Sequence, residues 1–307
     1  TSCAIHGCSA CGSIRPLVRS RAGGMASKSD ALVISHPDKV LFPDEGITKG
    51  ELAAYYEMIA PVMLPHIRMR PVSLEAFHSG IAQPGFFQKD VSKGLPRWLK
   101  RVEVPKKGGV VHYPLVRDTR SLLWLANQNS ITPHVWTARA PKLMYPDICI
   151  FDLDPARDEP DVLRAAALLL RDLLAELGFK SWVKTSGSKG FHIAVPLKGK
   201  SRYGEVARFA HDVGRQLVAR DPDHLTQEFS KADRGGRILV DTGRNGYGAT
   251  YAATYAVRAR PGAPVSAPCT WDEVESGAVG PRTLTLRTMA GRIAEVGDLW
   301  EGIRSSG

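Results

Sequence analysis

The 307-residue sequence predicts an α+β fold, on three observations. Apolar runs that end on aspartate, Ile148-Cys-Ile-Phe-Asp-Leu-Asp154 closed by Pro155 and Ile238-Leu-Val-Asp241, read as buried strands. Residues 160–177 place Val162, Ala165, Ala166, Leu169, Leu170, Leu173, Leu174 and Leu177 at helical spacing, with Gly178 as the stop. Strand and helix signals are interspersed without an internal repeat. The expected organisation is a disordered N-terminal extension over residues 1–24 and one compact body over 25–307. Within that body a smaller module runs to about residue 125 and a catalytic module from about 126.

Composition narrows the partners. Hydrophobic content of 43% and charged content of 23% are globular values, and Lys plus Arg outnumber Asp plus Glu by 41 to 31. That excess points to a polyanion, nucleic acid first. No apolar run approaches the roughly 20 residues of a membrane span, so a membrane partner is not expected. The tail holds Cys3, His6, Cys8 and Cys11, but no second ligand pair at zinc-finger spacing and no apolar pattern to fold around a metal. It is too polar for a signal peptide, and Met25-Ala-Ser reads as an ordinary start. Cys149 and Cys269 lie in apolar or turn contexts, as structural thiols of a reducing cytoplasm do.

Taken in order, Leu32-Val-Ile-Ser35 opens a strand, and Thr48-Lys-Gly-Glu51 is a capping-box pattern ahead of Leu52, Tyr55, Tyr56 and Ile59 at helical spacing. Lys39 and Lys49 bracket the loop entering that helix, an arrangement suited to phosphate. Pro71 to Phe77 is a strand, and a Gly/Pro turn leads to Phe86-Phe87-Gln88-Lys89. Adjacent aromatics on an extended segment cannot both face the core, so one is a candidate platform for a nucleic-acid base. Trp98, Val102 and Val104 continue a β-rich region, Leu122 to Asn127 suggests a helix, and Ile131-Thr-Pro-His134-Val-Trp136 is extended.

Then comes the Asp152-Leu-Asp154 strand. Alternation puts both carboxylates on one face, where their repulsion calls for a hard cation such as magnesium or manganese. Strand Ser181 to Thr185 delivers Ser186-Gly-Ser-Lys189-Gly-Phe-His192, a Gly/Ser loop whose backbone can wrap a phosphate. Arg202 to Ala219 is a second amphipathic helix with Val206, Phe209, Ala210, Val213 and Leu217 inward. Lys231, Arg234 and Arg237 approach the strand ending at Asp241, which could complete a three-carboxylate cage. Arg244 follows in a turn, Thr250 to Ala259 is a strand with Arg258 and Arg260 on one face, and a helical tail closes the chain around 282–301.

In this order, Phe-Asp-Leu-Asp-Pro, Thr-Ser-Gly-Ser-Lys-Gly-Phe-His, then Val-Asp with Arg-Asn and Tyr-Ala-Val-Arg-Ala-Arg-Pro-Gly-Ala-Pro-Val resemble the polymerase domain of bacterial ligase D. That family belongs to the archaeo-eukaryotic primase superfamily, and the match runs from about Asp38 to the C-terminus. The resemblance implies a primase-polymerase core, an antiparallel catalytic sheet of RNA-recognition-motif type flanked by helices and packed on a smaller α/β module. It implies Asp152, Asp154 and Asp241 as the catalytic carboxylates holding two divalent ions, Mn2+ or Mg2+. It implies Ser186, Lys189 and His192 as the loop on the nucleotide triphosphate. His134, eighteen residues before Asp152, then lies against the nucleotide, Arg258 binds triphosphate and Arg244 stands near the site. Lys39 and Lys49 are implied to grip a 5′-phosphate, and Phe86 and Phe87 to stack on template.

The implied activity is template-dependent nucleotidyl transfer from NTP or dNTP at DNA gaps and double-strand-break ends, with Ku and an ATP-dependent DNA ligase as partners and ribonucleotides preferred. No ligase lysine motif or phosphoesterase module follows residue 307, so the expectation is a stand-alone relative or one domain of a longer chain, in the bacterial cytoplasm at the nucleoid. A metal-dependent nuclease would share the Asp-x-Asp pair but not the Ser-x-x-Lys-x-x-His loop. A non-catalytic DNA-end-binding module would be expected to have lost carboxylates first, and all three are present.

Overall fold

The computed structural model describes residues 32–92 and 94–306. The expected N-terminal extension lies outside the described residues. The chain starts with a small hairpin of β1 (Val40–Phe42) and β2 (Ile47–Thr48), then α1 (Lys49–Ile67). Both capping-box bonds expected at Thr48 and Glu51 form, and Leu52, Tyr55, Tyr56 and Ile59 are buried. The strand expected at 32–35 does not form. Val33 is exposed, and Ser35 instead bonds Asn127 through its backbone N–H and hydroxyl.

Next come β3 (Val72–Ala76), β4 (Phe86–Gln88), a hairpin of β5 (Arg101–Lys106) and β6 (Gly109–Pro114), α2 (Thr119–Asn127) and β7 (Ser130–Trp136). They are followed by β8 (Ile148–Asp154), α3 (Pro160–Glu176), β9 (Trp182–Thr185), β10 (Phe191–Pro196) and α4 (Tyr203–Arg220). The chain ends with β11 (Leu225–Thr226), β12 (Ile238–Asp241), β13 (Thr250–Ala252), β14 (Ala256–Val257), β15 (Val265–Ser266), β16 (Pro268–Cys269), α5 (Trp271–Glu275) and α6 (Met289–Val296).

Two sheets position the site. The larger has six strands in the order β11-β12-β8-β10-β9-β16, antiparallel except for β11 against β12. The other is antiparallel, ordered β13-β7-β3-β4, and takes strands from both sides of residue 125. One apolar core joins α1, α2, β7, β8, β10, α3 and α4, with a satellite at Val104, Tyr113 and Trp136. The expected mixed α+β architecture with largely antiparallel sheets is therefore observed.

Helix α3 spans the expected residues but turns its stripe. Leu163, Ala166, Ala167, Leu170, Leu173 and Leu174 are buried, while Leu177 is exposed and Val162 and Leu169 only half-buried. The run Ala165 to Leu170 is apolar on every side, so packing against β8, β10, α4 and α5, not periodicity, selects the inward face. Each buried leucine there contributes about 2 kcal/mol. The single strand expected over 250–259 is two. Ala253 to Tyr255 turn between β13 and β14, with Tyr255 at φ +68° and its hydroxyl donating to Asp298, so Arg258 and Arg260 do not share a strand face. Arg258 is half-buried and Arg260 exposed. In the closing segment, α6 covers only part of the expected helical tail.

Candidate active site

The site is built on one rung of the six-stranded sheet. Asp152 on β8 lies opposite His192 on β10 and Asp241 on β12, and His192 lies opposite Lys184 on β9. Four chemically active side chains thus line up across four strands, because residues in register share a face. Asp154 projects from the same face two residues along β8.

Arg244 lies between two of the carboxylates, 3.3 Å from Asp152 and 3.1 Å from Asp241. Asp154 is held instead by Arg234, at 3.0 Å. Asp152 and Asp241 therefore converge while Asp154 has a separate partner, and among the described residues no three or more His, Cys, Asp or Glu side chains form a metal-holding group. Burial alone would raise the Asp152 carboxyl, but His192, Arg244 and Arg258 hold it well below the usual range. Asp241 is raised, by burial first and by the Asp152 and Asp154 charges, against the pull of Arg244 and the Gly243 N–H. Asp152 and Asp241, sharing one face around a single cation, form a hard-oxygen donor set, and the Arg244 guanidinium stands where a metal cation would.

His192 is buried, with Nε2 3.4 Å from Asp152. Burial and the Lys184 ammonium lower its pKa to about 4, so it is neutral at pH 7 and the arginines are the cations facing Asp152. Lys184 is fully buried and donates to the Ala252 carbonyl at 3.0 Å and to the Ser266 hydroxyl. Burial first, then Arg258, lowers its pKa well below the usual lysine value.

The loop between β9 and β10 is self-contained. The Ser186 hydroxyl accepts N–H bonds from Ser188 at 3.1 Å and Gly190 at 3.0 Å, so Ser186 shapes the loop rather than projecting from it. Gly187 sits at φ +63°, and a Cβ there would meet the Arg258 side chain at 2.5 Å. Arg258 donates to the Ser186 carbonyl at 2.6 Å, while its Nε–H and the His192 Nδ1 are buried with no protein partner. Lys189, on the same loop, is half-buried.

The second sheet adds a neighbouring cluster. His134 on β7 hydrogen-bonds Glu75 on β3 at 3.0 Å, and the Phe87 ring meets the His134 ring edge-on at 5.0 Å. Register puts Glu75 opposite Phe87 and Thr132, on the face of His134. Burial lowers the His134 pKa, while His134 and Arg258 outweigh burial to lower that of Glu75. Phe86 and Phe87 are both exposed, but alternation separates them. Phe86 packs against His78 at 5.2 Å, on the other side of β4.

Lys39 and Lys49 lie farther out, at the start of α1. The Lys49 N–H donates to the Lys39 carbonyl, the Gly50 N–H to the Pro37 carbonyl and the Glu51 N–H to the Thr48 hydroxyl. The free N–H groups that make a helix start an anion site are consumed, which leaves the two ammonium groups. The Lys49 ammonium donates to the Ser35 hydroxyl, and burial and Lys39 lower its pKa.

Lys184, Glu75 and Asn245 were not singled out from sequence. A lone charge inside an apolar strand was the available signal for the first two. Asn245, fully buried, donates to the Ile150 and Thr242 carbonyls at 2.7 and 2.9 Å and accepts the Ile150 N–H at 2.8 Å. It pins the Arg244 turn to β8. Asn245→Ala removes these bonds and leaves buried backbone groups unpaired, so chemical denaturation is expected to show a loss of about 3 kcal/mol.

A family model described as the LigD primase-polymerase domain matches residues 48–300. The multifunctional non-homologous end joining protein LigD of Mycolicibacterium smegmatis is 35% identical over 269 residues, which are 87% of this chain and 35% of that protein. The LigD protein of Pseudomonas aeruginosa is 34% identical over 287 residues, 92% of this chain and 34% of that protein. The chain spans about a third of the length of these relatives. The polymerase domain of Mycobacterium tuberculosis ligase D, solved in complex with DNA, aligns with a TM-score of 0.84 at 33% identity, covering 90% of this chain and 99% of that one. With strand motifs, sheet order and these likenesses in agreement, the chain belongs to the LigD primase-polymerase domain family.

Proposed function

We propose that the protein is a template-dependent nucleotidyltransferase that fills gaps and extends DNA ends in break repair by non-homologous end joining. The observation that carries this is the junction of two opposite chemistries on one rung. Paired carboxylates, Asp152 and Asp241, lie beside buried Arg258 and His192 nitrogens that have no protein partner. An oligophosphate would accept from the Arg258 Nε–H, and its charge would favour the protonated imidazole of His192. A nuclease needs the first chemistry but not the second.

Asp152, Asp154 and Asp241 would hold two divalent ions, Mn2+ or Mg2+, once Arg244 and Arg234 give way. Bound there, such ions would supply Lewis acidity to the attacking 3′-oxygen and positive charge to the departing pyrophosphate. The chain's own residues do the rest. Arg258, His192 and Lys189 bind and orient the triphosphate of an NTP or dNTP, with Ser186 fixing the loop that carries Lys189. Glu75 orients His134 against the nucleotide, and Phe87 on the same face offers a stacking surface for a template base. Lys39 and Lys49 attract the 5′-phosphate across a gap as point charges. Phe86, on the other side of β4, contributes where the strand edge meets DNA. Recruitment by Ku and hand-over to an ATP-dependent ligase follow from the end-joining role.

The test is extension of a gapped duplex carrying a 5′-phosphate, with manganese and each nucleotide class. Template-matched addition is expected, together with about tenfold weaker gap binding when the 5′-phosphate is removed, since one charge-assisted contact is worth roughly 1.4 kcal/mol. Binding without addition under any metal would overturn the proposal in favour of an end-binding module.

A further inference from the structure

Beyond the triphosphate loop lies a cavity of about 370 Å³, walled by Pro155 to Asp158 after β8, by Ser188 and Lys189, and by Gly280 to Thr283. Its charged groups are Arg157, Lys189 and Arg282 against Asp158 alone. Among the described residues Arg282 and Lys189 face no carboxylate within ion-pair distance, and Arg157 has only Glu159 at 3.9 Å. The Gly280 wall is fixed by its N–H bond to the Thr283 hydroxyl at 2.9 Å.

The loop between β9 and β10 therefore has two sides. Ser186 turns its carbonyl to Arg258 beside the carboxylates, whereas Ser188 and Lys189 line the cavity. A cavity with an excess of cations, bordered by the loop that carries Lys189, suits a small dense anion rather than a base or an apolar group. We propose that it is a site for inorganic pyrophosphate, taken up after nucleotidyl transfer and held by Arg157, Arg282 and Lys189. This rests on the polymerase reading for where the pyrophosphate arises, though the site can be tested without it. The 3′-oxygen, its proton lost to solvent, bonds to the α-phosphorus as the bond from that phosphorus to the α–β bridging oxygen breaks, and the bridging oxygen leaves with the pyrophosphate. The leaving pyrophosphate then moves from Arg258 to Arg157 and Arg282, with Lys189 on the loop between them.

Isothermal titration of the full chain with inorganic pyrophosphate in EDTA isolates the anion site from any metal, with melting curves to check folding. Arg282→Gln and Arg157→Gln are each expected to weaken binding about tenfold, and Asp158→Asn to tighten it severalfold. A gain in affinity is something a misfolded variant cannot imitate. In gapped-DNA extension the two arginine variants are expected to lose inhibition by added pyrophosphate while the rate without it changes less than twofold. Equal pyrophosphate affinity in all four proteins, or none in the unmodified chain, overturns the site. If pyrophosphate binds as expected but no extension occurs with any protein, the polymerase reading fails and the anion site stands.

Discussion

Asp152→Ala is expected to abolish nucleotide addition to a gapped duplex, lowering the rate by at least ~10³-fold, about 4 kcal/mol of transition-state stabilisation. Asp152 shares Arg244 with Asp241 and borders His192, so its removal breaks the carboxylate pair at its centre. Stability is expected to fall as well. Arg244 and Arg258 hold the buried Asp152 carboxylate in its charged form, and removing it leaves Arg258 without that partner, while Arg244 keeps Asp241. The measurement is single-turnover extension alongside thermal melting and gap binding. A variant that stays folded at the assay temperature and binds the gap but adds nothing places Asp152 in the chemistry. One that still extends within tenfold of the parent would remove the carboxylate rung from the mechanism.

Gly190→Ala is expected to have the largest structural effect of any single methyl. A Cβ at Gly190 would lie 1.7 Å from the Leu153 carbonyl oxygen, far inside van der Waals contact, and 3.2 Å from Pro155. Leu153 separates Asp152 from Asp154, so the clash can be relieved only by prising β10 from β8 at the carboxylates. Buried strand backbone yields little, and a cost on the order of 3–5 kcal/mol follows, with a fall of about 10 °C in melting temperature. Extension should fall with it, because the Gly190 N–H also closes the loop on the Ser186 hydroxyl. A variant with the parent's melting temperature would show that the loop can move away without disturbing the strands.

The likeness to the family was legible because its signals are local. Asp-x-Asp before proline, the Ser-x-x-Lys-x-x-His loop and the Thr48 capping box each lie within a few residues, and the strand, the turn and the cap form at those residues. Legibility failed where the deciding partner was distant. The strand expected at 32–35 lost to Asn127, 92 residues away, and the strand expected over 250–259 broke at a turn whose Tyr255 bonds Asp298. The α3 stripe turned because an all-apolar run has no periodicity to read.

What the sequence by itself determined was the inventory: carboxylates at strand ends, a Gly/Ser loop with a lysine, an excess of cations and an α+β framework to carry them. Only the tertiary structure decided which of these groups meet. It set Asp241, Asp152, His192 and Lys184 on one rung, gave Asp154 to Arg234, joined Glu75 to His134 and parted Phe87 from Phe86. The reason is physical. Alternation and capping are properties of neighbouring residues, whereas strand register and ion pairing are fixed by burial of a shared core that joins segments far apart in the chain.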